Sequence, residues 1–100
     1  KDPLYVTDEV ADINQVAGAA LEGVVYNNGQ SCCAVERIYV HEKVYDAFLK
    51  SFTEQASALK IGNPKEEGID IGPLTRKEQL AFILDQIQDA QNKGAELIAG

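Results

Sequence analysis

Residues 24–40 read VVYNNGQSCCAVERIYV, and two incompatible local structures compete for them. In one, Asn28-Gly29 supplies the positive φ angles of a tight turn and joins residues 24–26 to residues 34–40 as an antiparallel hairpin. In the other, a helix that began upstream ends near Gly29, and an exposed turn presents a thiol before the next strand. Local pattern leaves both open, because Asn and Gly serve a hairpin turn and a helix stop equally well.

Upstream, Ile13, Val16, Ala17, Ala20, Leu21 and Val24 recur at three-and-four spacing, and Asp12 followed by Gln15 forms a capping-box start. This pattern predicts an amphipathic helix over residues 13–26. Downstream of His41, a second stripe of Tyr45, Phe48, Leu49, Phe52, Ala56 and Leu59 predicts a helix over residues 42–59. The third and most regular stripe, Leu80, Ile83, Leu84, Ile87 and Ala90, predicts a helix over residues 76–93, opened by a Thr75/Glu78 capping box and stopped at Gly94. Strand-like runs rich in β-branched and aromatic residues lie at Leu4-Tyr5-Val6, Arg37-Ile38-Tyr39-Val40 and Glu96-Leu97-Ile98-Ala99. Strands alternating with amphipathic helices predict an α/β fold with a parallel-type sheet, since a crossover of helical length joins parallel strands. Residues 60–74, punctuated by Asn63-Pro64, Gly68 and Gly72-Pro73, read as a long irregular connector. A loop of that length is expected to dock on protein outside the chain.

The 100 residues are enough for one small domain, with 45% hydrophobic residues to supply a modest core. A net charge of −7 disfavours contact with a phosphate backbone, so no nucleic acid is expected as partner. No apolar run approaches the roughly 20 residues of a membrane span, and residues 1–3 start no apolar signal segment. The two cysteines, Cys32 and Cys33, are adjacent, which excludes a disulfide framework linking distant segments. They also lack the spacing of a zinc site, with His41 the only histidine. Free thiols point to a reducing compartment, and the expected location is cytoplasmic.

A cysteine taken at random is more often a small buried hydrophobe than a nucleophile. Here, however, Gly29-Gln30-Ser31-Cys32-Cys33-Ala34, with Asn27 before it and Arg37 after it, resembles the active-site cysteine signature of the aldehyde dehydrogenase family. The resemblance runs along nearly the whole chain. Lys1-Asp2-Pro3 stands where the family's glutamate-leucine-glycine-glycine-lysine motif ends, Gly62-Asn63-Pro64 and Gly72-Pro73-Leu74 resemble its later connector, and Lys93-Gly94-Ala95 leads into a last strand. One departure is Val25, followed by Tyr26, where the family commonly has an aromatic residue four places before the glycine.

The resemblance implies that residues 1–100 form a single partial domain, a piece of a catalytic domain without the NAD-binding domain. It implies Cys32 as the nucleophile, which adds to an aldehyde so that the adduct releases hydride and leaves a thioester. The Cys32 N–H would be one oxyanion donor. The family's general base would lie upstream of Lys1 and its nicotinamide-ribose glutamate downstream. The cofactor is then NAD or NADP in a full-length enzyme, with none expected on this piece. The implied partners are an aldehyde, the remainder of the dehydrogenase chain and, in full-length form, further copies in a homo-oligomer. Gln30 and Asn27 read as loop-shaping amides, because neutral amides exchange no protons near neutral pH. His41 reads as a cap or surface residue, Cys33 as a neighbour facing the sheet or pocket, and Glu66-Glu67 with Asp70 as a solvated face. Arg37 reads either as a strand-start charge or as a support for the cysteine loop. Two readings from other classes stand beside this one: a thiol redox module using Cys32 and Cys33, and a non-catalytic structural piece.

Overall fold

In the computed structural model, which describes residues 2–100, strand β1 (Asp2–Val6) leads into helix α1 (Ile13–Val25), and strand β2 (Val35–Val40) returns parallel to β1. Leu4 pairs with Ile38, Tyr5 with Tyr39 and Val6 with Val40, and the register shifts between Asp2 and Pro3, where proline has no N–H for the ladder. The His41 N–H extends the pairing by donating to the Val6 carbonyl at 2.9 Å. Helix α2 (Glu42–Ala58) follows at once, with His41 as its N-cap and His41 Nδ1 accepting from the Lys43 N–H at 3.2 Å. Helix α3 (Glu78–Asn92) comes after the connector. None of these helices is long and apolar enough to cross a membrane.

The alternation of the strands sorts their side chains. Leu4, Val6, Ile38 and Val40 face the helices, while Tyr5 and Tyr39 stack at 5.2 Å on the other face and stay exposed. Small residues on α1 let it lie close: Ala17 and Ala20 are buried with Val6 and Phe48 at the centre of the core. Phe48 stacks on Phe52 at 5.6 Å, so one aromatic pair fills the space between α2 and the sheet layer. Gln55 Nε2 donates to the Asn14 carbonyl at 3.1 Å and to the buried Ser51 hydroxyl at 3.0 Å, stitching α2 to the start of α1. The Lys43 ammonium, 2.8 Å from Asp8 Oδ2, ties the turn after β1 to α2 and holds that carboxyl below the usual carboxylate range.

Asp12 caps α1 as its sequence position suggests, with Oδ1 accepting from the N–H groups of Asn14 and Gln15 at 2.9 and 3.2 Å. Asp12→Ala is therefore expected to cost about 1 kcal/mol, read as a lowered urea midpoint, and an unchanged midpoint would show that solvent serves those N–H groups as well. At the other end of the chain, Gly94 (φ +96°) stops α3 in a Schellman arrangement: the Gly94 N–H donates to Gln91 and the Ala95 N–H to Ala90.

Of the two local structures open to residues 24–40, the helix followed by a turn forms and the hairpin across Asn28-Gly29 does not, because residues 24 and 25 continue α1 and β2 takes β1 as its partner. Other sequence expectations need correction. The Thr75/Glu78 capping box does not form: α3 starts two residues later, with Lys77 at the cap position and no side-chain cap bond. Glu96-Leu97-Ile98-Ala99 is not a strand, and Leu97 and Ile98 are exposed. An extended apolar run becomes a strand only when a neighbouring edge takes up its N–H and C=O groups, and no described strand does so. Tyr45 lies outside the buried face of α2. Helix α3, with the most regular stripe, buries none of its residues: Leu80, Phe82 and Leu84 are all more than half exposed. The radius of gyration is 14.6 Å, above the ~13 Å of a compact domain of this length, as follows when one helix stays outside the core.

Candidate active site

Helix α1 ends where the backbone turns left-handed. Asn27 (φ 51°), Asn28 (φ 57°) and Gly29 (φ 70°) are all left-handed, so residues 26–29 form a tight reversed turn. Asparagine and glycine are the residues that tolerate this region. The Gln30 N–H closes the turn on the Asn27 carbonyl at 3.1 Å. Next comes an irregular turn at Ser31, Cys32 and Cys33, which the Ala34 N–H ends by donating to the Ser31 carbonyl at 3.2 Å. Buried Ala34 fixes the entry to β2. Gly23 fixes the distance between helix and strand, since a Cβ there would stand 3.0 Å from Val35 Cγ2.

This frame presents both thiols to solvent. Among the described residues, neither Cys32 Sγ nor the Cys32 N–H has a hydrogen-bond partner, so both are available to a ligand. Cys33 is exposed rather than turned into the sheet, and its Sγ lies 3.0 Å from Ser31 Oγ. Between Tyr26 and Val35 the sequence offers no carboxylate or histidine, so any proton acceptor for chemistry at Cys32 comes from outside the turn.

The connector proves to be part of the site. It closes on itself where Ile61 and Ile71 form a bridge, with the Gly62 N–H donating to the Ile71 carbonyl at 3.0 Å and Asp70 Oδ2 accepting from the Lys60 N–H at 2.9 Å. Asp70 is thus a structural acceptor rather than a purely solvated charge. The connector then docks on the cysteine turn: Asn28 Oδ1 accepts the Gly72 N–H at 3.1 Å, and Gln30 Oε1 accepts the Thr75 N–H at 2.8 Å. Gln30 shapes the loop as expected from its sequence position. The side chain of Asn28 was missed because Asn28-Gly29 reads as turn chemistry, a backbone matter. A cavity of about 340 Å³ lies where the turn meets the start of α3, between Asn28, Gln30, Thr75, Arg76 and Ile83. Neither thiol lines it. Arg37 is exposed on β2 and makes no hydrogen bond to the cysteine turn among the described residues, while His41 serves as a cap. Lys1, the position compared with an upstream motif, lies outside the described residues.

A family model described as "Aldehyde dehydrogenase family" matches residues 1–100. The chain is 41% identical over 99 residues to a succinate-semialdehyde dehydrogenase [NADP(+)] of Mycolicibacterium paratuberculosis, covering 99% of this chain and 21% of that protein. Among solved structures, it superposes on the succinate-semialdehyde dehydrogenase of Burkholderia pseudomallei with a TM-score of 0.93 at 37% identity, covering 100% of this chain and 20% of that one. The NAD+ complex of an aldehyde dehydrogenase from Bacillus cereus gives 0.91 at 33% identity, again over 100% and 20%. The chain therefore spans about a fifth of the length of the relatives it matches.

Proposed function

The chain belongs to the aldehyde dehydrogenase family, and on that premise we propose that it is the nucleophile-bearing segment of an NAD(P)-dependent enzyme that oxidises an aldehyde to a carboxylic acid. The observation that carries this reading is the exposed position of Cys32 on the turn between α1 and β2, in register with Gly29 and Gln30. A thiol redox module accounts for two adjacent exposed thiols but not for a likeness that runs over all 100 residues.

The chemistry proposed for this chain is short. Cys32 thiolate adds to the aldehyde carbonyl, and the unpartnered Cys32 N–H can donate to the oxyanion that forms. A nicotinamide dinucleotide, when bound, supplies the hydride acceptor. Such a cofactor does not fit the β1–α1 unit, whose strand–loop–helix order is the kind that can cradle a pyrophosphate. The loop from β1 to α1 reads TDEVAD without a glycine, its three carboxylates repel phosphate, and Asp12 already occupies the N–H groups at the helix start. The dinucleotide is then held by residues other than these. The same holds for the base that activates water against the thioester, since the cysteine turn has no proton acceptor beyond its thiols.

In this reading the chain is one part of a catalytic domain, and the open apolar surfaces are where the rest of that domain packs. These are the Tyr5–Tyr39 face of the sheet and the stripe of Leu80, Leu84 and Ile87 on α3.

Acyl trapping tests the proposal directly. The enzyme carrying this segment is mixed with an aldehyde and NAD(P)+, quenched in acid and digested. The peptide containing Cys32 should gain the mass of the acyl group, and hydroxylamine should remove it. An adduct placed on Cys33, or none on either thiol during turnover, would defeat the assignment.

A further inference from the structure

We propose that Asn28 and Gln30 are positioning residues, which aim Cys32 at the carbonyl by pinning its turn to the connector. The inference rests on Cys32 being the nucleophile and adds what holds it in place.

Three successive left-handed residues are a costly way to end a helix. The left-handed region disfavours an ordinary L-residue by roughly 1–2 kcal/mol, and asparagine only lessens the penalty. Such a turn keeps one geometry only where its surroundings fix it. Here the fixing comes from side chains that leave the turn. Asn28 Oδ1 takes the Gly72 N–H at 3.1 Å and Gln30 Oε1 takes the Thr75 N–H at 2.8 Å, one on each side of Gly29. Gly72 follows directly on a segment that is closed by its own hydrogen bonds. The carbonyl of Lys60, next to the end of α2, accepts from the N–H groups of Asp70 and Ile71 at 2.8 and 3.1 Å, while Asp70 Oδ2 accepts the Lys60 N–H. Gly72 lets the connector come this near, since a Cβ there would meet Asn28 Nδ2 at 3.4 Å and Pro64 at 3.7 Å. A continuous line of bonds therefore runs from α2 through the connector to a residue two places before Cys32.

Neither amide touches Cys32, and neither can move a proton near neutral pH. Their effect is orientation, and attack on a carbonyl is sensitive to it: an error of about 1 Å in a reacting group can cost roughly 10²-fold in rate. Alkylation by a small freely diffusing reagent makes no such demand on the direction of approach. The two reactions of one thiol should therefore separate.

The test uses the enzyme carrying this segment, with N28G, which keeps left-handed freedom and removes the acceptor, Q30A, and N28D, which restores an acceptor oxygen. For N28G and Q30A, kcat should fall about 10- to 100-fold, while the aldehyde KM, the iodoacetamide rate at Cys32 and the melting temperature stay close to wild type. N28D should regain most of kcat. Wild-type turnover in N28G and Q30A would overturn the proposal. So would an alkylation rate that falls in step with kcat, which would make the amides activators of the thiol, or a lowered melting temperature with no rescue by N28D, which would make them merely structural. Cys32→Ser is run alongside. If it turns over normally, or if the wild type oxidises no aldehyde, the nucleophile assignment fails first and takes this inference with it.

Discussion

Cys32→Ser is expected to lower kcat for aldehyde oxidation by at least ~10²-fold, while Cys33→Ser retains most turnover. The two thiols are neighbours in sequence and both exposed, so accessibility does not separate them. Their surroundings do. Cys32 Sγ is free of hydrogen bonds among the described residues, whereas Cys33 Sγ is 3.0 Å from the Ser31 hydroxyl and its N–H reaches the same oxygen at 3.4 Å. A serine hydroxyl stays protonated where a thiol ionises, so Cys32→Ser removes the covalent step and with it several kcal/mol of transition-state stabilisation. Cys33→Ser exchanges one small polar contact for another beside Ser31. Both variants are assayed with one aldehyde and saturating cofactor after circular dichroism shows them folded. Equal losses would indicate a coupled thiol pair, as the redox reading requires, and a dead Cys33→Ser beside an active Cys32→Ser would move the nucleophile by one residue.

Phe48→Ala is expected to destabilise the fold by about 3–5 kcal/mol, a large share of the ~5–15 kcal/mol that a domain has in all. Phe48 is 4% exposed, packs with Val6, Ala17 and Ala20, and stacks on Phe52. The alanines of α1 are too small to collapse into the vacated volume, so a cavity remains. Urea unfolding followed by circular dichroism measures the loss, and a shift below about 1 kcal/mol would show that the core relaxes around the gap. Phe82, 57% exposed on α3, makes the instructive contrast. With nothing in this chain covering it, Phe82→Ala should change the stability of the chain by itself by only about 0.5 kcal/mol. In the enzyme carrying this segment, a loss comparable to that of Phe48→Ala would show that the α3 surface around Phe82 is covered, as the partial-domain reading expects.

By itself the sequence determined the features that rest on local chemistry. Three-and-four spacing placed α1 and α2, Asp12 and Gly94 marked helix ends where they are found, and Asn28-Gly29 announced positive φ angles that the backbone adopts. Each of these features depends mainly on a few neighbouring residues and on backbone preference. The choice of Cys32 over Cys33 is of another kind: it rests on the likeness of Gly29, Gln30 and Cys32 to the family signature, and the two serine variants test it. Tertiary structure decided where partners were needed. The same Asn28-Gly29 pair could have closed a hairpin; it stops a helix because Ala17, Ala20 and Leu21 bury the face of α1 and β2 pairs with β1. The most regular helical stripe belongs to the helix with no buried residue, because periodicity records which face is apolar and not what covers it. Residues 96–99 have strand composition without being a strand, since pairing requires an edge that local sequence cannot supply. The amides of Asn28 and Gln30 find Gly72 and Thr75 only after some forty residues have folded back, an encounter set by the path of α2 and the connector rather than by any local pattern.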